Sequence, residues 1–243
     1  MSFKLPPIFY MVLKKVKKHQ KYILIGTTSV FAIIIFSVAH SFYVKSREEN
    51  AHKALVDSLA YFNAPIGQEE EQDALDFTDK KTFSTHQEKW EKVTEVFNKA
   101  YKQNKNSGIA AMFLVFQSEG LLKQGKILEA IGVLKDAIKK INNDELEEFY
   151  KIKLSLLKID SKDNYLEKEG LKELTEMAAD ESSVAHDSAL YYLGDYYWAQ
   201  KNFIESKNYW NQLLIKYGED SDVPSPWAAQ AKEKLRLIDS KTK

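Results

Sequence analysis

The side chains best suited to binding chemistry are aromatic, apolar and acidic residues on two predicted helices. In residues 111–144 and 187–220, apolar side chains recur at every third and fourth position, which predicts amphipathic helices. On the first helix of each stretch, other side chains lie off the apolar stripe and are expected to face a groove. Aromatic rings beside a carboxylate suit peptide segments, because they give a large contact area at low entropic cost. The predicted partner-binding groove consists of Met112, Val115, Glu119, Leu122, Tyr191, Asp195 and Trp198.

A structural interpretation of the same pattern is also open. Aromatic residues at helical spacing usually belong to a core, so Tyr191 and Trp198 can instead pack on the adjacent helix. Spacing alone does not choose between the groove and the core.

Catalytic, cofactor and metal motifs are absent from the sequence. There is no phosphate-binding glycine loop, no nucleophile elbow and no H-E-x-x-H pair. The 5 histidines stand apart from one another, and with 0 cysteines the chain has neither disulfides nor thiolate ligands. The carboxylates are not set in apolar surroundings that would raise their pKa for acid–base work. We therefore expect no enzyme activity, no cofactor and no metal site.

Helix pairs stacked on one another are the elements that would position the groove. Residues 187–220 have the length of one tetratricopeptide-type unit, with Leu193, Gly194 and Tyr197 on its first helix and Phe203 and Trp210 on its second. Neither helix can bury its apolar face alone, so neighbouring units are required. Further pairs are predicted for 46–63 with 85–104, for 111–144 with Gly125 as a C-cap between the helices, and for a unit starting near Lys151 with a polar turn at 160–164.

The two ends of the chain are predicted to differ in character. Residues 22–44 carry no formal charge and, at about 1.5 Å per residue, are long enough to cross a hydrocarbon layer of roughly 30 Å. At the other end, residues 226–240 form a single amphipathic helix that would cover the last unit. The predicted fold is all-α: one N-terminal transmembrane helix, then an α-solenoid of tetratricopeptide-like helix pairs with a C-terminal capping helix.

Charge sets the predicted orientation. The net charge is +0 overall, but residues 1–21 contain lysines and no acidic residue, so we expect a cytoplasmic basic head and an extracytoplasmic domain at 45–243. The acidic remainder argues against nucleic-acid binding. Residues 64–84 are predicted to be an exposed acidic loop. The alternative for the N-terminus is a signal peptide that is cleaved near Ala39.

The order of these elements resembles the ancillary subunit family of the bacterial Sec translocon. The resemblance rests on the basic head, the apolar stretch, the helix that follows it (residues 51–60), the loose helix pairs and the terminal helix after Pro226-Trp227-Ala228-Ala229. Ser206 and Gly218 depart from the usual alanine and proline of the repeat. The resemblance implies a single-pass protein of the bacterial inner membrane with a periplasmic repeat domain that contacts translocon subunits, secreted chains and periplasmic chaperones.

Two other functions fit the same layout. One is a scaffold for cell-envelope assembly or division machinery, and the other is a membrane protein that senses small ligands in its groove. Fold does not decide among them, because specificity lies in groove residues that no motif encodes.

Overall fold

A computed structural model describes the backbone of residues 20–67 and 82–241, and their side chains apart from residues 20–35, 239 and 241. The chain divides into two compact units, residues 1–52 and 53–243. The predicted basic head lies almost entirely outside the described residues. Residues 68–81 of the predicted acidic loop lie outside them as well.

Helix α1, Gln20–Phe62, begins in the first unit. Phe36 and His40 stack on it at 6.2 Å between ring centroids, and the Arg47 guanidinium pairs with Glu48 at 2.9 Å. The helix does not end with the apolar stretch at Val44; it continues through Lys45, Arg47 and Glu48.

The predicted transmembrane helix at residues 22–44 is wrong for the described part of the chain, where no helix has the length and apolar character that a membrane crossing requires. A crossing needs about 20 consecutive apolar residues. Described side chains begin at residue 36, within the predicted span, and the first charged residue among them is Lys45, just after that span. The extracytoplasmic location that the charge pattern predicts for residues 45–243, and the periplasmic location that the family resemblance implies, stay predictions.

The second unit consists of the end of α1 and eight further helices in its described part. These are α2 His86–Asn104, α3 Ala110–Lys123, α4 Ile127–Ile138, α5 Asp144–Asp160, α6 Asn164–Ala179, α7 His186–Ala199, α8 Phe203–Tyr217 and α9 Ala228–Lys241. From α2 onward, each helix packs chiefly against the next one in the chain. Polar side chains start several of them: Thr85, Asn143 and Asp163 each accept a hydrogen bond from a first-turn backbone N–H.

The end of α1 is joined to α2 by aromatic and polar contacts. Phe62 packs edge-to-face against Trp90 at 5.3 Å and against Phe116 of α3 at 5.2 Å. A single parallel bridge pairs Ile66 with Phe83, and the Lys89 ammonium donates to the Ala64 carbonyl at 2.6 Å. Residues from both sides of the acidic segment therefore meet in one small core.

Three turns with the same backbone geometry show that the helices form repeated hairpins. Gly125, Lys162 and Lys201 have positive φ values of 75°, 61° and 59°, and each lies two residues before the start of α4, α6 or α8. Left-handed residues are the usual way to end a helix, and glycine adopts this conformation at least cost. The backbone N–H groups of Lys126 and Asn202 then close the turns by donating to Leu121 and Tyr197 carbonyls. The described fold thus contains three hairpins: α3–α4, α5–α6 and α7–α8.

Serine hydroxyls link the two helices of the first and last hairpin at matching positions. Ser118 on α3 donates to the Ala130 carbonyl on α4, and Ser206 on α8 donates to the Gly194 carbonyl on α7, both at 2.9 Å. Ser118 and Gly194 lie equally far before the left-handed residues of their turns. The same hydrogen bond between helices is therefore made in both hairpins, by a serine of the first helix in one and of the second helix in the other. This hydrogen bond gives a structural role to Ser206, where the repeat usually has alanine.

Candidate functional site

In the first hairpin, the predicted groove residues do not form one open surface. Val115 is only 4% exposed and belongs to a core cluster with Leu134 and Tyr150, so its assignment to the groove is corrected. Met112 and Leu122 are half-buried. Glu119 is half-buried as well, and its carboxylate forms an ion pair with Lys153 on α5.

In the last hairpin, the C-terminal helix covers the predicted groove residues. Tyr191 is 4% exposed: its ring stacks on Trp227 at 4.8 Å, and its hydroxyl donates to the Gln230 side chain at 2.9 Å. Its assignment to an open groove is therefore corrected, and packing on an adjacent helix is the arrangement observed. The physical reason is that Trp227, just before α9, and Gln230, on α9, supply an apolar and a polar partner for this side of α7.

The other two predicted groove residues of α7, Asp195 and Trp198, also contact side chains of neighbouring helices. Asp195 forms an ion pair with Lys234 of α9, and Trp198 packs edge-to-face against Phe203 at 5.4 Å. The Lys234 ammonium also lies over the Tyr191 ring, 5.3 Å from its centroid. Burial opposes the charged form of Lys234, yet the Asp195 carboxylate holds the lysine pKa above its ordinary value.

A concave pocket of about 470 Å³ lies between α5, α7 and the segment that leads into α9. None of the seven predicted groove residues lines it. Its walls are mainly apolar and aromatic, with carboxylates and one lysine among them. The lining residues are Glu145, Glu148, Phe149, Ile152, Lys153, Leu156, Val184, Ala185, Ser188, Tyr192 and Trp227.

Hydrogen bonds fix the Trp227 wall of the pocket. The indole N–H of Trp227 donates to the Ser188 hydroxyl at 3.0 Å, and its backbone N–H donates to the Ser225 hydroxyl at 3.1 Å. Ser225 in turn donates to the Asp187 carboxylate at 2.6 Å. The segment before α9 is therefore tied to the first turn of α7, which holds the tryptophan ring in place.

The mouth of the pocket exposes large apolar side chains. Phe149 is 61% exposed and Val184 is 58% exposed, whereas Ile152 and Ala185 deeper in the pocket are buried. Tyr192 lies between, 5.2 Å from Trp227 by ring centroids. Burial, and then the neighbouring Tyr191 and the Asp195 carboxylate, raise the pKa of Tyr192, and its protonated hydroxyl is a hydrogen-bond donor. Such a surface favours large apolar side chains of a ligand, with a hydrogen-bond donor within reach.

Charged groups at the pocket are mostly paired inside the chain. Burial lowers the pKa of Lys153, whose ammonium is held by Glu119. Glu148 accepts hydrogen bonds from Lys151 at 2.8 Å and from Ser183 at 3.1 Å. Glu145 is exposed and forms no ion pair within the described residues. The carboxylate of Glu145 is thus the charge that remains open to a ligand.

Sequence reasoning missed this pocket because its parts come from distant segments. Phe149 and Ile152 lie on α5, Val184 lies in a loop, and Trp227 stands beyond the last hairpin. Apolar spacing predicts a third unit that starts near Lys151, whereas α5 begins at Asp144. The available signal was the capping pattern: Asn143 followed by acidic residues marks a helix start.

These features define a class of protein: a stack of helical hairpins with an aromatic pocket between the first helices of two neighbouring hairpins. Comparisons of the chain with protein-family models, curated proteins and solved structures found no match. The resemblance to the Sec ancillary subunit, and the expected absence of catalysis, cofactor and metal, stay predictions.

Proposed function

We propose that this chain is a protein-interaction module that binds a segment of another protein in the pocket between α5 and α7. The observation that carries the proposal is the exposure of Phe149 and Val184 at the mouth of a mainly apolar pocket. Binding pockets are lined mainly by hydrophobic and aromatic side chains, and aromatic residues are common anchors of protein interfaces.

The rigid frame of the pocket supports the same proposal. Trp227 is held by Ser188 and Ser225, so little side-chain freedom would be lost on binding. Hairpin stacks present such surfaces along their length. From the family resemblance, the partners we propose are translocon subunits, secreted chains and periplasmic chaperones; a scaffold for envelope assembly or division machinery is the alternative.

A small-molecule sensor is a second candidate, and the cavity volume favours it. About 470 Å³ lies within the range of roughly 300–1,000 Å³ that ligand pockets occupy. The mouth argues for a protein partner instead, since small-molecule sites are concave and largely preformed, whereas Phe149 is 61% exposed.

Site-directed photocrosslinking in cells tests the proposal. A photoreactive residue replaces Phe149 or Val184 at the mouth, and Tyr165, a 76% exposed tyrosine of α6 that does not line the pocket, serves as the matched control. We expect defined protein adducts from positions 149 and 184 but not from 165, and we expect Tyr192→Ala to reduce them. Adducts identified as translocon or chaperone proteins support the first partner class, and cell-wall proteins support the scaffold. Equal labelling at all three positions, or none at the mouth, would overturn the proposal.

A further inference from the structure

The rim of the pocket between α5 and α7 is acidic. The first turns of α5 carry Asp144, Glu145, Glu147 and Glu148. Lys151 contacts Glu147 and Glu148 at 2.8 Å each, and within the described residues it is the only cation that forms an ion pair with these carboxylates. Lys153, the other cation nearby, is paired with Glu119. Negative charge therefore exceeds positive charge at this end of the pocket, and an acidic ligand would be repelled there.

The carboxylates at the rim differ in how many partners they already have within the chain. Glu148 holds Ser183 as well as Lys151, while Glu145 is exposed and pairs with no cation in the described chain. Both residues line the pocket beside the exposed ring of Phe149. A ligand that fills the apolar part of the pocket with one side chain would bring its neighbouring residues against these carboxylates.

The chain itself shows how the neighbouring side of α7 binds a segment of this kind. Just before α9, Trp227 stacks on Tyr191. On α9 itself, Lys234 pairs with Asp195 and lies 5.3 Å from the Tyr191 ring centroid and 5.5 Å from that of Trp210. A lysine held by a carboxylate and by aromatic faces gains both ion-pair and cation–π stabilisation. α9 is amphipathic, with Lys232, Lys234 and Arg236 among its polar residues.

We propose that the segment bound in this pocket is a basic amphipathic peptide. A large apolar side chain sits between Phe149, Tyr192 and Trp227, and a lysine or arginine nearby in the peptide pairs with Glu145 and Glu148. This inference rests on the proposed function and adds the chemistry of the partner to it. An acidic or uncharged partner segment would leave the Glu145 carboxylate without a counter-charge.

Three short fluorescent peptides test this inference on the full-length chain. They share one apolar helical face of Leu and Trp, and their polar positions are all Lys, all Ser or all Glu. Fluorescence anisotropy gives the Kd of each. We expect the Lys peptide to bind about 10-fold more tightly than the Ser peptide, since partly exposed ion pairs contribute modestly, and we expect this advantage to shrink as salt is added. The Glu peptide is expected to bind most weakly.

Variants of the rim carboxylates test whether Glu145 and Glu148 cause the preference for the Lys peptide. Glu145→Gln with Glu148→Gln is expected to remove most of the Lys advantage and to leave the Kd of the Ser peptide unchanged. Glu129→Gln, which alters an exposed first-turn carboxylate of α4 that does not line the pocket, is the matched control and should keep the advantage. Should the double variant lose its helical circular dichroism, Glu145→Gln alone keeps the test valid, because no ion pair of the described fold uses Glu145.

The outcomes separate this inference from the proposed function. Equal affinity for the Lys and Ser peptides, or tighter binding of the Glu peptide, overturns the basic partner while leaving an apolar binding site. The basic partner is also overturned if no peptide binds although positions 149 and 184 still crosslink specifically. If peptide binding and specific crosslinking are both absent, the proposed function itself fails. A Lys advantage that survives the double variant places cation binding elsewhere and rejects the assignment to Glu145 and Glu148.

Discussion

Gly194 of α7 lies directly against the indole ring of Trp210 on α8. A Cβ at this position would be 2.2 Å from Nε1 of Trp210. The ring cannot easily move away, because Trp210 is 0% exposed and its indole N–H donates to the Tyr191 carbonyl at 3.1 Å. Glycine is therefore required here by close packing between the helices and not by backbone conformation.

Gly194→Ala is expected to lower the free energy of unfolding by about 1–3 kcal/mol, the usual cost of overpacking a core. Urea denaturation measures it. Gly132→Ala in α4 is the matched control, since no atom lies within 4 Å of the Cβ it would add. There, replacing a helical glycine should raise stability by roughly 0.5–1 kcal/mol. A stabilising effect at both positions would contradict the packing shown for Gly194.

His186 at the start of α7 is a buried titratable residue. Its Nδ1 lies 2.8 Å from the Tyr217 hydroxyl of α8. Burial lowers the pKa of His186, and the nearby Lys216 lowers it further, while Glu181 and Asp187 act in the opposite direction. The imidazole is thus harder to protonate in the folded chain than in the unfolded one.

The sign of the resulting pH dependence follows from proton linkage. A histidine whose pKa is lowered in the folded state binds more protons when the chain is unfolded. Well above the unfolded pKa of about 6.5 both states are neutral and the histidine does not affect stability; as pH falls below that pKa, protonation favours the unfolded state. We expect the free energy of unfolding to decrease between about pH 7 and pH 5, and to decrease less in His186→Gln. Urea denaturation of both proteins at about pH 7 and pH 5 measures how much each loses in free energy of unfolding. The other histidines are the same in both proteins, so the difference between the two losses reports on His186. Identical slopes in the two proteins would rule out this role for His186.

At the scale of elements, the C-terminal helix depends on a small polar linkage before it. The Ser225 hydroxyl donates to Asp187 at 2.6 Å and accepts from the backbone N–H of Trp227 at 3.1 Å. This linkage connects α7 to the start of α9. Further along α9, Ala231 and Ile238 are buried in the same core cluster as Trp210 and Leu213.

Ser225→Ala should loosen α9 without unfolding the hairpins. Loss of a hydrogen bond to a carboxylate costs roughly 1.5–3 kcal/mol, which corresponds to an increase of about 10- to 150-fold in local opening. Amide hydrogen exchange of α9 measures this effect, and α5 should be unchanged. Ser240→Ala, near the exposed end of the same helix, removes only a bond to the Leu237 carbonyl and should have little effect. If exchange in α9 stays slow after Ser225→Ala, the apolar contacts alone hold the helix.

Helices and turns could be predicted from local sequence more completely than contacts between them. Apolar spacing predicts a helix at 85–104, and the structure has α2 at His86–Asn104; the C-cap expected at Gly125 has a φ of 75°. Such features depend on nearby residues, and so they appear in the spacing. The positive φ of Lys162 and Lys201 carries no such signal, because lysine rarely adopts this conformation.

Burial and the pocket could not be predicted in the same way. Tyr191 is covered by Trp227, which is distant in sequence, and Lys158 is 2% exposed because Glu169 and Glu173 on the next helix surround its ammonium. Periodicity describes one helix and does not say which partner covers it. The prediction of a transmembrane helix at residues 22–44 depends on the apolar composition of that stretch, whereas the helix in the structure continues through Lys45, Arg47 and Glu48 to Phe62.

On the scale of the whole molecule, the arrangement of residues 53–243 is nearly one-dimensional. Each helix from α2 to α9 packs chiefly on its chain neighbours, and the core is divided into local clusters. In such stacks, stability is approximately a sum of hairpin and nearest-neighbour contributions. A local change should therefore be felt most strongly near its own hairpin.

Two core substitutions at opposite ends of the stack test this arrangement. Leu213 on α8 and Val93 on α2 are both 0% exposed. Leu213→Val and Val93→Ala remove buried methyl or methylene groups, at a cost of about 1–2 kcal/mol each. Under native conditions, Leu213→Val should speed amide hydrogen exchange in α7, α8 and α9 and leave α2 and α3 slow, and Val93→Ala should do the reverse. Equal acceleration of all helices by either substitution would show that residues 53–243 open as a single cooperative unit. In that case the pocket between α5 and α7 would be disturbed by damage at either end, whereas a one-dimensional stack would preserve it until the neighbouring hairpins themselves open.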